Sequence, residues 1–496
     1  MPKIFTKEQL GDDRVKGFYE TPIATVFHMI SLLNIDFDND KQTILDPCVG
    51  DGIFLRTLHN LGISKKNLYG FDIDSEKVKL LNEEGFNNVI LADATKQFDQ
   101  KFDIIVGNPP YNGDESHFVR ENRDRLKRDF KEIGAKNTFS MITFNCIKYL
   151  KESGKLVFIL SDAFLTNTYY EKFRRFLLEE TKINEIILTP RSLFRHIGAD
   201  VGTAIIYLEK ESQDFGLFDT NEKHLIRYVD RLESEDEYED INKKSEYESQ
   251  TSVAKYPKST FIIGVPNYLK ELYANSKLRL GDVVNGGTGI STGNDKRFLR
   301  KEIELDQSEK EKWVPYYKNG ARKKFFYRPE YWIEKNYKQH SDVTANYMLR
   351  NERYFFKEGI TCSSVGVRFS ASYMPEGGLF GVNANFFTDD RQNLFYLLGL
   401  LNTDIAWYFA RRILIRTNNI SSNYLKLLPV IYPNKTEIKL IANLVEDHVG
   451  QLMLNKQAKN EELVSQLNDR FKKIYNIDAQ CDLKISEFTN NFYSKL

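Results

Sequence analysis

The sequence predicts a doubly wound, Rossmann-like α/β domain, then a domain of mixed α+β character and a helical C-terminal tail. Three observations predict this. From about Thr21 to Leu208 short β-rich runs alternate with amphipathic helical stretches, the pattern of a sheet covered by helices on both faces. From about Pro257 the texture changes to short apolar runs with many Gly, Asn, Thr and aromatic residues, without βα alternation. Beyond Pro433, Ile438, Leu440, Ile441, Leu444, Val445 and Val449 recur at near-helical spacing, as do Leu463, Leu467 and Phe471.

The elements follow in order. Thr43-Ile44-Leu45 is a strand, and a helix begins at Ile53-Phe54-Leu55-Arg56-Thr57-Leu58. Asn67 to Phe71 is the next strand, followed by a helix over roughly Ser75 to Glu84 with Asp74 as its N-cap. Further strands are expected at Val89–Leu91, Ile104–Val106, Leu156–Leu160, Ile183–Leu188 and Thr203–Leu208. The stretch from Arg231 to about Gln250 is acidic, polar and poor in branched apolar residues, which reads as a solvated linker or exposed helix. The expected division is residues 1–230 for the first domain, 231–255 for the linker, 256–432 for the second domain and 433–496 for the helical segment.

A chain of 496 residues is long enough for about two to four domains. Lys+Arg 70 against Asp+Glu 70 leaves no net charge, but a basic cleft needs only local clustering. Cys48, Cys146, Cys362 and Cys481 are far apart and form no CxxC pair, which disfavours a zinc site or a disulfide framework. There is no early apolar segment of a secretory signal and no apolar run of about 18 residues. A reduced, cytoplasmic protein without a metal is expected.

The chemistry is concentrated at strand ends, where doubly wound sheets bind ligands. Asn108-Pro109-Pro110-Tyr111 follows the apolar run Phe102 to Gly107. Asn108 offers a side-chain carbonyl, and the carbonyl of Pro109 on a rigid turn is a second acceptor with a fixed direction. Two acceptors converging on one exocyclic NH2 aim its nitrogen lone pair at an electrophile. Tyr111 supplies a flat face for an extruded planar base. After the first strand, Asp46-Pro47-Cys48-Val49-Gly50-Asp51-Gly52 forms a glycine loop opening a helix, whose backbone N–H groups can approach a ligand closely. It is not a GxGxxG fingerprint, so a nicotinamide cofactor is not the natural ligand. Asp46 and Asp51 suit a ligand bearing an ammonium group, such as a methionyl moiety. Asp72, at the end of the next strand, can accept both hydroxyls of a ribose. Asp93, after the third, can accept from an adenine amino group. Singly each aspartate is an ordinary turn residue. Their recurrence at three successive strand ends points to a bound nucleoside.

These motifs, with Gly17-Phe18-Tyr19-Glu20-Thr21-Pro22 ahead of them, resemble the amino (gamma) class of S-adenosylmethionine-dependent DNA methyltransferases, of the TaqI-like adenine-N6 kind. The motif order is that of the gamma class. The resemblance implies that Tyr19, Thr21 and Pro22 enclose the methionine end of S-adenosyl-L-methionine. The loop Asp46, Pro47, Cys48, Gly50, Asp51 and Gly52 would line the same region, with Asp72 on the ribose and Asp93 on the adenine. Asn108 and Pro109 would grip the target amino group, with Pro110 completing the turn and Tyr111 stacking on the flipped base. Phe194, ahead of the strand at Thr203, matches by position a second aromatic wall for that base. Past the linker, Gly289 to Lys296 and Trp313-Val314-Pro315-Tyr316 resemble target-recognition domains, including those of phage-exclusion methyltransferases. The helix Leu467 to Tyr475 resembles their tail.

The reaction so implied needs alignment of an amino nitrogen with a sulfonium methyl, which positioning can favour by about 7–11 kcal/mol. A base inside a duplex cannot reach such a pocket, so flipping and a double-stranded DNA partner are implied. Arg322 to Arg328 and Arg411 to Arg416, basic residues among aromatic and apolar ones, are candidates for phosphate contact. A cognate restriction endonuclease or defence-system proteins are possible partners. The Thr-Pro motif starts near residue 17, leaving no room for a nuclease ahead of it. Alternatives are a protein-glutamine N5 or RNA adenine methyltransferase, cytosine-N4 methylation, and a non-catalytic DNA-recognition subunit.

Overall fold

The computed structural model describes residues 20–37, 41–195, 201–211, 224–342, 344, 346–366, 368–416, 419–455 and 458–494. The chain divides into two compact units, Met1–Gly264 and Val265–Leu496.

The first unit holds β1 (Ile44–Asp46), β2 (Leu68–Asp72), β3 (Val89–Leu91), β4 (Phe102–Gly107), β5 (Leu150–Ser161), β6 (Thr181–Leu188), β7 (Thr203–Lys210), β8 (Leu225–Val229) and β9 (Ser245–Ser249). They form one nine-stranded sheet in the order β3-β2-β1-β4-β5-β7-β6-β8-β9. β1 to β5 are parallel to one another, and β7 is inserted antiparallel between β5 and β6. The central strands are apolar on both faces because both are covered. Along β1, β4 and β5 successive side chains enter opposite cores. Leu45, Ile105, Leu156, Phe158 and Leu160 pack on one side with the helices Thr138–Tyr149 and Glu171–Glu180. Ile44, Ile104, Val106, Val157 and Ile159 pack on the other with the helices Ile23–Leu32 and Ile53–Asn60. This is the doubly wound α/β fold that the alternation predicts. Asp74 caps the helix Ser75–Glu83, accepting from the Glu76 N–H at 3.0 Å.

The acidic stretch expected to be a linker belongs to this sheet. β8 pairs parallel with β6 and antiparallel with β9, and a 3-10 segment, Glu235–Lys244, connects the two. β9 reads Ser-Glu-Tyr-Glu-Ser because it is the edge strand, and edges carry polar and charged residues. The chain then stays in the first unit: Phe261 and Ile263 lie in its core, and Phe261 N–H donates to the Leu165 carbonyl at 3.0 Å. The boundary therefore falls at Gly264, beyond the predicted linker.

The second unit is mixed α+β. Its strands are β10 (Asn285–Gly287), β11 (Leu299–Lys301), β12 (Trp313–Tyr317), β13 (Phe325–Phe326), β14 (Tyr331–Glu334), β15 (Gly359–Cys362), β16 (Ala371–Met374), β17 (Leu379–Phe380) and β18 (Asn385–Phe387). They form a five-stranded sheet, β10-β18-β15-β16-β13, and a four-stranded one, β11-β14-β12-β17. The tail is the helices Lys435–Met453, Asn460–Ile474 and Ala479–Ser494. It is part of the second unit, with Tyr475 donating its hydroxyl hydrogen to the Pro429 carbonyl at 2.8 Å.

Candidate active site

The loop after β1 is organised around two carboxylates. Asp46 is buried, and its Oδ1 accepts from the Cys48 N–H at 3.0 Å. Burial pushes its carboxyl up to about 7; the Cys48 N–H opposes this shift and the charge of Asp72 adds to it. Asp72, at the end of β2, accepts from the Gly50 N–H at 2.8 Å and the Asp74 N–H at 2.9 Å. Its carboxyl is also raised, chiefly by burial. Gly50 and Gly52 have φ of 51° and 80°, a region in which side chains are strained. Gly52 then opens the helix Ile53–Asn60. Pro47 is buried and Cys48 half-buried, with the thiol pushed well up by burial. Asp51 is exposed and pairs with Lys77 at 3.3 Å.

The ends of β1 and β4 approach closely. A Cβ added at Gly107 would lie 2.7 Å from Asp46 Oδ1, so the residue before Asn108 has to be glycine for the aspartate to sit there. Asn108 Nδ2 donates to Thr21 Oγ1 at 3.1 Å. The Tyr111 hydroxyl lies 2.9 Å from Asn108 Oδ1 and 3.0 Å from the Ile159 carbonyl oxygen. A phenol has one hydrogen to donate and here meets two acceptors. The Tyr111 ring meets Phe139 edge-on at 6.0 Å. Pro109 is buried, and among the described residues nothing donates to its carbonyl. Thr138 holds the rest of the turn: its hydroxyl donates to the Pro110 carbonyl and accepts from the Asn112 N–H. Thr21 is buried and Pro22 begins the helix Ile23–Leu32. The structure thus brings Thr21, Asp46, Asp72 and the Asn-Pro-Pro-Tyr turn to one edge of the sheet. Tyr19 lies outside the described residues.

One expected role does not fit the geometry, and a second residue is already partnered. Phe194 is fully buried in the core with Val26, Ile187 and Ile205, so it is a packing residue and presents no face to a base. The Asp93 carboxylate is engaged by its own protein. Oδ1 accepts from the Thr95 N–H and hydroxyl at 2.9 and 2.5 Å, and Oδ2 pairs with Arg125 at 3.1 Å. The sequence reading missed Arg125 and Thr138, which come from the segment after the motif and carry no pattern of their own. The first basic stretch of the second unit is also partly structural. Lys324 donates to the Asn402 carbonyl at 2.7 Å and its pKa is lowered by burial. Arg322 pairs with Glu330. Lys323 and Arg328 are exposed.

Among the described residues no helix is long and apolar enough to cross a membrane.

Residues 62–194 match the family described as Eco57I restriction-modification methylase. The chain is 24% identical over 389 residues to the adenine-specific methyltransferase PglX of Lacticaseibacillus casei (strain Zhang), covering 72% of this chain and 30% of that protein. It is 27% identical over 297 residues to the type II methyltransferase M.VspI of Vibrio sp. (strain 343), covering 57% and 65%. The chain thus spans less than two thirds of the length of these relatives. In fold it is similar to the type IIL restriction-modification enzyme MmeI, solved in complex with DNA, with a TM-score of 0.62 and 12% identity over 95% of this chain and 76% of that one. The matched residues, 62–194, run from before β2 to just past β6.

Proposed function

We propose that this chain transfers the methyl group of S-adenosylmethionine to the N6 amino group of an adenine flipped out of double-stranded DNA. The observation that carries the reading is the pair of acceptors at the end of β4, Asn108 Oδ1 and the Pro109 carbonyl, set beside the buried carboxylate of Asp46. The residues present fit the cofactor. Gly50 and Gly52 leave the loop without side chains, Asp46 suits an ammonium group, and Asp72 closes β2 as a ribose acceptor. When bound, S-adenosylmethionine supplies a methyl group activated by its sulfonium.

The rest is positioning by this chain. Thr21 Oγ1 takes an Asn108 amide hydrogen, which fixes the side-chain amide; in this reading Oδ1 is the atom left to accept from the target nitrogen. When the target amino group donates to Oδ1, the Tyr111 hydrogen goes to the Ile159 carbonyl, so the hydroxyl keeps a partner. The two acceptors draw hydrogens from the amino group and offset the positive charge that develops on it. Tyr19, Thr21 and Pro22 would close the methionine end, and Tyr111 would stack on the base. The second unit is proposed to recognise the DNA, with exposed Lys323 and Arg328 among its phosphate contacts. Adenine is favoured over cytosine-N4 or glutamine by the adenine-specific description of PglX. A cognate restriction endonuclease or a defence system is proposed as the setting.

Modification-sensitive long-read sequencing of a methylation-free host expressing the chain tests this, beside Asn108→Ala. Adenine-N6 marks at one short sequence, absent from the variant, are expected. Unmarked DNA from well-folded protein would refute the reading.

A further inference from the structure

The stretch between β8 and β9 makes contacts that a surface excursion has no need of. Thr25, buried in the first turn of the helix Ile23–Leu32, donates to Glu235 Oε1 twice, from its N–H at 3.2 Å and its hydroxyl at 2.6 Å. Tyr238 places its hydroxyl 3.2 Å from Thr25 Oγ1 and stacks on His28 with ring centroids 4.3 Å apart and planes 12° from parallel. Leu232 and Ile241 are buried in the same cluster as Val26 and Ile30. Glu235 thereby satisfies a helix N-terminal N–H with a carboxylate brought from far along the chain.

The same stretch also reaches β5, β6 and β7. Arg231 forms an ion pair with buried Asp162 just past the end of β5. It also donates to the carbonyls of Thr189, after β6, at 2.6 Å and of Thr203, at the start of β7, at 3.1 Å. Leu232 N–H donates to the Leu188 carbonyl at 3.0 Å.

Thr21, which holds the Asn108 amide, stands two residues before that helix. We infer that residues 231–244 are a strap that positions the catalytic amide: Glu235 and Tyr238 fix the helix carrying Thr21, and Arg231 fixes the ends of β5, β6 and β7. Glu235 and Arg231 act through these protein contacts and are positioning residues. The inference rests on the reading of the site as a methyltransferase and names a part of its machinery outside the recognisable motifs.

Glu235→Ala and Glu235→Gln in the full chain test it, because glutamine keeps an Oε1 acceptor for both Thr25 donors. In Glu235→Ala kcat for DNA methylation is expected to fall about tenfold while the Kd for S-adenosylhomocysteine changes less than about twofold, as for a small misplacement of a reacting group. Glu235→Gln is expected to restore kcat to within about twofold of the parent, since the acceptor is kept. Amide hydrogen exchange over residues 23–32 is expected to quicken in Glu235→Ala and stay at the parent rate in Glu235→Gln. An unchanged kcat, cofactor affinity lost in step with kcat, or a glutamine variant no better than alanine would overturn the strap. If the parent itself transfers no methyl group, the reading of the site fails, and the exchange rates alone decide whether Glu235 fixes this helix.

Discussion

Asp46 shows how burial gives a turn aspartate a working range. Its carboxyl sits at about 7 instead of the ordinary 3.8, chiefly through desolvation. In the free protein the sign is that of a raised acid: the stability it contributes is present below the ordinary value and lost as pH rises through about 7. A ligand ammonium prefers the carboxylate, so binding below that pH has to expel a proton. The Kd of S-adenosylhomocysteine is expected to tighten about tenfold per pH unit from pH 5 toward 7 and then level off. Calorimetric titration checks this. Asp46→Asn is expected to flatten the profile, and a flat profile in the parent would remove Asp46 from the ammonium site. At Tyr111, phenylalanine keeps the ring and removes only the hydroxyl. The expected order of kcat is parent, then Phe, then Ala, with the Ala variant lower by about a hundredfold from lost stacking. Equal losses in the two variants would assign the effect to the hydroxyl alone. The placement of Asn108, Asp46 and Asp72 at strand ends is legible because strand ends and glycine loops have short-range signatures. Phe194 shows the limit, since an aromatic before a strand reads the same whether its ring faces a pocket or the core.

At the scale of elements, the run of β1 to β7 is legible because each strand keeps an apolar run, even β3 at the other sheet edge, where Ile90 is exposed. β9 lies at the sheet edge, where the second face need not be apolar, and its composition imitates a linker. What ties the late part of this unit down is Arg174, on the helix Glu171–Glu180. It is fully buried and donates to the carbonyls of Phe164 and Asn167 at 2.7 Å and to those of Lys258 and Ser259 at 2.8 to 3.1 Å. Arg174→Met fills similar space and leaves these carbonyls without their donor. A loss of about 3 kcal/mol or more is expected, at about 1–3 kcal/mol per unsatisfied group. Urea unfolding of the chain measures it, and a change under about 1 kcal/mol would mean that water replaces the guanidinium.

For the whole molecule the boundary at Gly264 has a practical test. A fragment ending at residue 255, where composition places the end of the linker, lacks Phe261 and Ile263 and two of the carbonyls that Arg174 holds, those of Lys258 and Ser259. A fragment ending at Gly264 keeps them. The longer fragment is expected to unfold cooperatively on heating and to bind S-adenosylhomocysteine, and the shorter one to show no cooperative transition. Equal behaviour would place the boundary elsewhere. The second unit was legible only as a change of texture. Its strands are short, from two to five residues, and are paired over long sequence separations, so periodicity has little length in which to show itself.

The dependence of Asn108 on a strap so far downstream also has a consequence in time. A nascent chain leaves the ribosome from its N-terminus, and domains generally fold as units during synthesis. The motifs emerge well before residues 231–244, so on the proposed reading a chain that has exposed only its strand-end signatures still lacks the contacts that fix Asn108. On that reading, competence waits for the segment between β8 and β9.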